Sequence, residues 1–206
     1  MIKLVLWDLN GTLLDDIPAW YTAVRETFLA FGAQPPTLDE YFMELEGHQY
    51  WELYTRRGVR ASFGELNAVY GKVYGQQMSQ IVLTRSARET LRALKTNGIP
   101  CGIVSAQIAE LFKPIFSRLQ LAPYFSYAYY PVTAKAEKIN EIMMKERISP
   151  QQCIYVGDTP SDVRSAQKAG MVSVAYLNGY VPKTLIDATN PDHTIRDLKE
   201  ILAIVK

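Results

Sequence analysis

Short apolar runs that stop abruptly at a carboxylate or a hydroxyl, each followed by a segment of helical period, constrain this chain more than any other feature. Ile2 to Trp7 runs into Asp8-Leu9-Asn10-Gly11-Thr12, Pro100 to Val104 ends at Ser105, and Cys153 to Val156 ends at Gly157-Asp158. Runs this short and this apolar read as strands covered on both faces. Helical periods lie between them: Ser86 to Asn97, stopped by Gly98, then about Ala106 to Leu119, Lys135 to Arg147, and Pro160 to Ala169. Further strands are expected near Tyr124 to Tyr130 and at Val172 to Tyr176, with a C-terminal helix from about Ile195. Strands alternating with helices imply right-handed crossovers and an α/β fold with a doubly wound parallel sheet. In such a sheet the ligand crevice lies at the carboxyl ends of the strands.

One block breaks the alternation. From about Asp16 to Thr84 the period is helical, with Trp20, Val24 and Phe28 four residues apart and Gly32, Pro35 and Pro36 closing the first helix. The block is rich in Tyr and Trp and reads as an all-helical insertion. The expected organisation is therefore a Rossmann-like core of residues 1–15 and 85–206, with residues 16–84 inserted after strand one. A net charge of +1, with both signs scattered along the chain, offers no polybasic face for nucleic acid. Cys101 and Cys153 sit singly in apolar runs and read as buried thiols of a reducing compartment. No apolar run is long enough to cross a bilayer, and the N-terminus leads directly into a strand. These features point to the cytoplasm and to a small soluble partner, with the chain a monomer or homodimer.

Asp8, Ser105, Asp158 and Asp162 follow three separate buried strands, so the topology gathers them at one edge. Any one of them taken alone reads as a helix cap. Together, Asp8-Leu9-Asn10-Gly11-Thr12, Ser105, Lys135 and Gly157-Asp158-Thr159-Pro160-Ser161-Asp162 resemble the four motifs of the haloacid dehalogenase superfamily. The helical block resembles the cap of its phosphoglycolate-phosphatase-like members.

The resemblance implies a Mg²⁺-dependent phosphatase acting on a small phosphorylated metabolite, phosphoglycolate-like. Asp8 would be the nucleophile that forms an aspartyl-phosphate, chemistry that a carboxylate can perform. Ser105 and Lys135 would be catalytic partners that bind the phosphate. Lys135 is preferred to Lys138 because its distance to Asp158 matches the family better. The metal ligands would be Asp8, the backbone carbonyl of Asn10, Asp158 and Asp162, a hard-oxygen set that suits Mg²⁺. Thr12 is expected among the substrate-binding residues. Gly47, His48 and Arg56 are expected to reach substrate from the cap, against the plainer reading of a solvated helix end.

The chain departs from the family at Asn10, where most phosphatases of this superfamily have an acid/base Asp. An amide neither gives nor takes a proton near neutral pH. Three readings follow: a natural variant using another proton donor, an engineered Asp-to-Asn trapping variant, or a phosphate-binding or regulatory protein with impaired turnover.

Overall fold

Leu4–Trp7 forms β1, and all four of its side chains are buried. A strand with no polar face must sit in the middle of a sheet, and β1 pairs in parallel on both sides. Val5 lies opposite Cys101 of β4 (Cys101–Val104) and opposite Ile154 of β6 (Cys153–Gly157). β5 (Tyr127–Tyr129) extends the sheet beyond β4, and β7 (Val172–Tyr176) and β8 (His193–Ile195) extend it beyond β6. The six-stranded order is β5-β4-β1-β6-β7-β8 and every pairing is parallel. The chain winds outward from β1 in one direction and then in the other, so the switch point falls at β1.

The computed structural model describes residues 1–206 as two units, Met1–Asp15 with Val82–Lys206, and Asp16–Ile81. In the first unit, helices α7 (Lys135–Glu146) and α8 (Pro160–Lys168) pack on Leu4, Leu6, Cys153 and Tyr155 through Ile139, Ile142, Met143 and Ala166. The two-residue period of a strand sends Val5 and Trp7 to the other face, where α5 (Ala87–Thr96) and α10 (Ile201–Ile204) pack on one another.

Several elements differ from the sequence reading. The helical block does not run to Thr84, because Val82–Leu83 (β3) pairs antiparallel with Leu14–Asp15 (β2). This ribbon belongs to the first unit, and Asp15 lies in it opposite Val82. α6 spans Ala109–Arg118 and starts late, because Ser105 and Gln107 turn the chain first. Gln107 N–H donates to Ser105 Oγ at 3.1 Å, and Ile108 N–H to Gln107 Oε1 at 3.0 Å. No helix starts at Ile195: His193–Ile195 is the edge strand β8, where His193 is exposed, and helix returns only at the end of the chain. The short helix α9 (Lys183–Asp187) was not anticipated.

The second unit holds α1 (Ile17–Ala30), α2 (Leu38–Leu45), α3 (Tyr50–Arg56) and α4 (Phe63–Gln77). Reciprocal capping boxes start three of these, Thr37 with Glu40, Gln49 with Glu52, and Ser62 with Glu65, and they satisfy backbone donors that the first turn leaves open. The aromatic residues fill the unit's own interior: Phe28 stacks on Tyr54 at 4.3 Å, and Trp20 meets Tyr41 edge-on at 4.9 Å. The Tyr74 hydroxyl of α4 donates to Asp16 Oδ2 at 2.5 Å, and both residues are fully buried. Tyr74→Phe removes a donor from a buried carboxylate, so thermal unfolding is expected to show a loss of about 1–3 kcal/mol. A melting curve identical to the parent's would refute that assignment.

Candidate active site

The carboxyl ends of β1, β4 and β6 carry Asp8, Ser105 and Asp158. The sheet itself sets their depth: Asp8 N–H still donates to Val156 O at 2.8 Å, continuing the β1–β6 ladder by one bond. Asp162 arrives one turn into α8. Thr159 caps this helix, Pro160 occupies its first turn, and Asp162 returns the cap by accepting from Thr159 N–H (3.1 Å) and Oγ1 (2.6 Å) at Oδ2. Gly157 makes this approach possible, because a Cβ there would stand 2.3 Å from Asp162 Cβ.

Asp8, Asp158 and Asp162 are all buried, and ligand oxygens of the three lie within 4.8 Å of one another. One ammonium serves them. Lys135, the first residue of α7, places Nζ 2.8 Å from Asp8 Oδ1 and 2.6 Å from Asp162 Oδ1. Lys138, one turn further along, pairs with Glu141 and lies over the Tyr129 ring instead. Tyr155 lies behind the cluster, its one hydroxyl proton shared between Val104 O at 3.1 Å and the more distant Asp162 Oδ1 at 3.4 Å.

Burial dominates the electrostatics. It pushes the Asp8 carboxyl up to about 6 against the opposing pull of Lys135, and the Asp162 charge adds to the rise. Asp158 is raised well above the usual carboxylate range by burial, then by Asp162 and Asp8. Burial works against the Lys135 ammonium, but Asp162 and Asp8 outweigh it and hold its proton more tightly than usual.

Both oxygens of Asp158 are held. Thr12 Oγ1 donates to Oδ1 at 2.7 Å, and Asn178 Nδ2 donates to Oδ2 at 2.9 Å. Thr12, expected to bind substrate, is completely buried and gives its hydroxyl proton to Asp158, so it orients a carboxylate instead. Ser105 Oγ accepts from Gln107 N–H, which leaves its own proton available to an incoming oxygen. Asn10 follows Asp8 by two residues and is half-buried in the turn that leads to β2.

The three residues expected to bind substrate from the insertion lie in the helical unit. His48 is exposed with Nδ1 3.2 Å from Glu52 Oε2, and Arg56 donates from Nη1 to Glu44 O at 2.9 Å. Gly47, just past α2, takes a positive φ of 77°. Sequence reasoning missed Tyr155, Thr159 and Asn178. Thr159 carried a signal as a Thr followed at N3 by Asp, and Asn178 carried one as an Asn-Gly pair just after a strand.

Buried carboxylates and a lysine at the switch point of a parallel sheet make a candidate active site, and comparison with known families gives its class. The haloacid dehalogenase-like hydrolase profile matches residues 5–176. The chain belongs to that family. It is 26% identical over 220 residues to the phosphoglycolate phosphatase of Pseudomonas putida (strain KT2440), covering 97% of this chain and 78% of that protein. To the phosphoglycolate phosphatase of Escherichia coli (strain K12) it is 26% identical over 231 residues, covering 98% and 91%. Among solved structures, a haloacid dehalogenase-like family hydrolase of Streptococcus pneumoniae superimposes with a TM-score of 0.78 at 20% identity, covering 100% of this chain and 99% of that one. At that identity the likeness concerns the fold.

Gly157→Ala tests the packing that brings Asp162 to the cluster. A methyl group there overfills the strand end, which typically costs about 1–3 kcal/mol. A lower melting temperature is expected, together with a displaced Asp162 side chain in a crystal structure of the variant. An unmoved Asp162 with unchanged stability would show that the contact is slack.

Proposed function

We propose that this hydrolase is a Mg²⁺-dependent phosphatase of a small phosphorylated metabolite, with a phosphoglycolate-like acid as the leading substrate class. The observation that carries the reading is the Lys135 ammonium bridging Asp8 and Asp162 beside Asp158. The two phosphoglycolate phosphatases similar to this chain support it.

The residues fit a hard divalent cation. Three carboxylates and one lysine leave the cluster short of positive charge, and the donor set is entirely oxygen. Asp8 and Asp158 would hold the cation, with the Asn10 carbonyl as the family resemblance implies. Three of the four acceptor positions of Asp162 are engaged, by Lys135 at Oδ1 and by Thr159 N–H and Oγ1 at Oδ2, while Tyr155, which shares its one proton with Val104 O, stands 3.4 Å from Oδ1. Its part is therefore to anchor Lys135 and to act on the cation through water. When bound, Mg²⁺ supplies positive charge to the phosphate oxygens.

Asp8 attacks phosphorus in line, the bond to the ester oxygen breaks, and the phosphoryl group rests on Asp8. Lys135 keeps Asp8 ionised and aimed, and the Ser105 hydroxyl donates to a phosphate oxygen. Water then cleaves the aspartyl-phosphate, releasing phosphate and restoring Asp8. The leaving alkoxide needs a proton, and Asn10 has none to give. That residue favours a second reading, a phosphate-binding or regulatory protein of low turnover, whether its amide is native or engineered. The cap residues Gly47, His48 and Arg56 remain candidates for recognising the rest of the substrate.

Three measurements follow. Phosphate release from a metabolite panel should require divalent metal and stop with EDTA; metal-independent turnover, or none with any phosphorylated compound, rejects the phosphatase reading. Asp158→Ala should lose Mg²⁺ affinity in calorimetry while keeping its circular dichroism, and parental affinity would remove Asp158 from the site. Asn10→Asp should raise alkyl phosphate turnover by roughly 10² or more, the usual scale of general acid-base catalysis. Before that change, acyl and nitrophenyl phosphates should react faster than alkyl phosphates, because their leaving groups depart without a proton. An Asn10→Asp variant no faster than the parent would show that another group carries the proton.

A further inference from the structure

We infer that Asn178 is a positioning residue that fixes the Asp158 carboxylate against the nucleophile loop. The inference rests on the reading of Asp158 as a cation ligand.

Asn178 stands two residues past the end of β7, and its amide uses its full hydrogen-bonding capacity. Nδ2 donates to Asp158 Oδ2 at 2.9 Å and to Gly11 O at 3.1 Å. Oδ1 accepts from Tyr180 N–H at 2.9 Å and from Val181 N–H at 3.3 Å. An amide has two N–H donors and two carbonyl lone pairs, so these four bonds fill it and define its orientation. Turning the amide over would set its oxygen against a carboxylate and a carbonyl, and its NH₂ against two N–H groups. The acceptor half closes the loop that follows β7, as Asn side chains do when they bond backbone amides two and three residues ahead.

The donor half acts on the site. Gly11 lies between Asn10 and Thr12, so its carbonyl belongs to the loop that carries the nucleophile. Bonding that carbonyl and Asp158 from one nitrogen ties the end of β1 to the end of β6. Thr12 Oγ1 takes the other carboxylate oxygen at 2.7 Å, and Asp158 is clamped from both sides by neutral donors. Each oxygen keeps one acceptor position, and the clamp sets the plane in which those positions lie. Partners of this kind, which orient a ligand without touching the metal, are typically worth 10–100-fold in metal affinity. Asn178 is half-buried and carries no charge, so it constrains Asp158 without adding to the cluster's negative excess.

The test is calorimetric titration of Mg²⁺ into the substrate-free protein, for the parent, Asn178→Ala, Asn178→Asp and Asp192→Ala. Asn178→Ala removes all four bonds. Asn178→Asp keeps the two acceptor bonds that close the loop and replaces the donor with an oxygen facing Asp158. Asp192 is a control from the opposite end of β7, where Oδ2 accepts from Ser173 N–H and Oγ at 2.8 and 2.7 Å. Both Asn178 variants are expected to lose 10–100-fold in Mg²⁺ affinity, while Asp192→Ala lowers the melting temperature and leaves affinity within threefold of the parent. Steady-state rates should show the same split, with kcat at fixed Mg²⁺ falling in the Asn178 variants and KM for substrate little changed. Parental affinity in a folded Asn178→Ala overturns the inference. If that variant does not fold, parental or tighter affinity in Asn178→Asp overturns it, because a simple gain of negative charge would then outweigh the lost donor. Absence of Mg²⁺ binding by the parent rejects the cation reading itself, and the inference falls with it.

Discussion

A single buried ammonium holding two carboxylates, with a third beside them, is the constraint on which the rest of this structure depends. Removing such charges from water is expensive, and it is tolerated only where they are paired and hydrogen-bonded. The partners come from different parts of the chain: Lys135 from the start of α7, Thr159 from the cap of α8, Tyr155 from within β6, Thr12 from the turn after β1. Only a parallel sheet delivers them to one edge, because all its strands end on the same side. Gly157 follows from the same requirement, since any larger residue would push the capping carboxylate off the strand end.

The core's architecture was legible because its strands have no polar face. An apolar run of four or five residues stopped by Asp or Ser has few alternatives to a buried parallel strand. The strand-end positions of Asp8, Ser105 and Asp158 were readable from it, while their selection as a site needed their common edge and the family resemblance. Lys135 was distinguishable from Lys138 only through the family's spacing, since both project from one helix. Two-residue strands were not legible: Leu14–Asp15 and Val82–Leu83 recognise each other across the helical insertion, and no local period marks them. Asn178 was hidden for a related reason. A polar residue in a loop takes its meaning from what the fold brings to it, and Asp158 lies 20 positions upstream.

The helical unit shows the converse problem, a conspicuous sequence with an ordinary explanation available. Its Trp and Tyr residues attract attention as a recognition surface, yet Phe28, Tyr41 and Tyr54 are buried against one another or against neighbouring helices. Short helices with little apolar length need such rings, which bury large areas per residue. His48 and Arg56 are held within the same unit by Glu52 and by the Glu44 carbonyl.

Placing Asp8 on the first strand of the sheet has a kinetic consequence. Lys135 meets Asp8 across 127 residues of sequence, and Thr12 meets Asp158 across 146. As the chain is made, β1 emerges first and waits for neighbours that begin at Cys101 and Cys153, while the helices of 16–81 find their contacts among themselves. Long-range parallel pairing closes large loops before it is rewarded, and it is slow. During that interval Leu4–Trp7 is an unpaired apolar edge, the kind of surface that aggregates from partly folded states. The carboxylate cluster, which draws on residues from Asp8 to Asp162, is therefore among the late features to form.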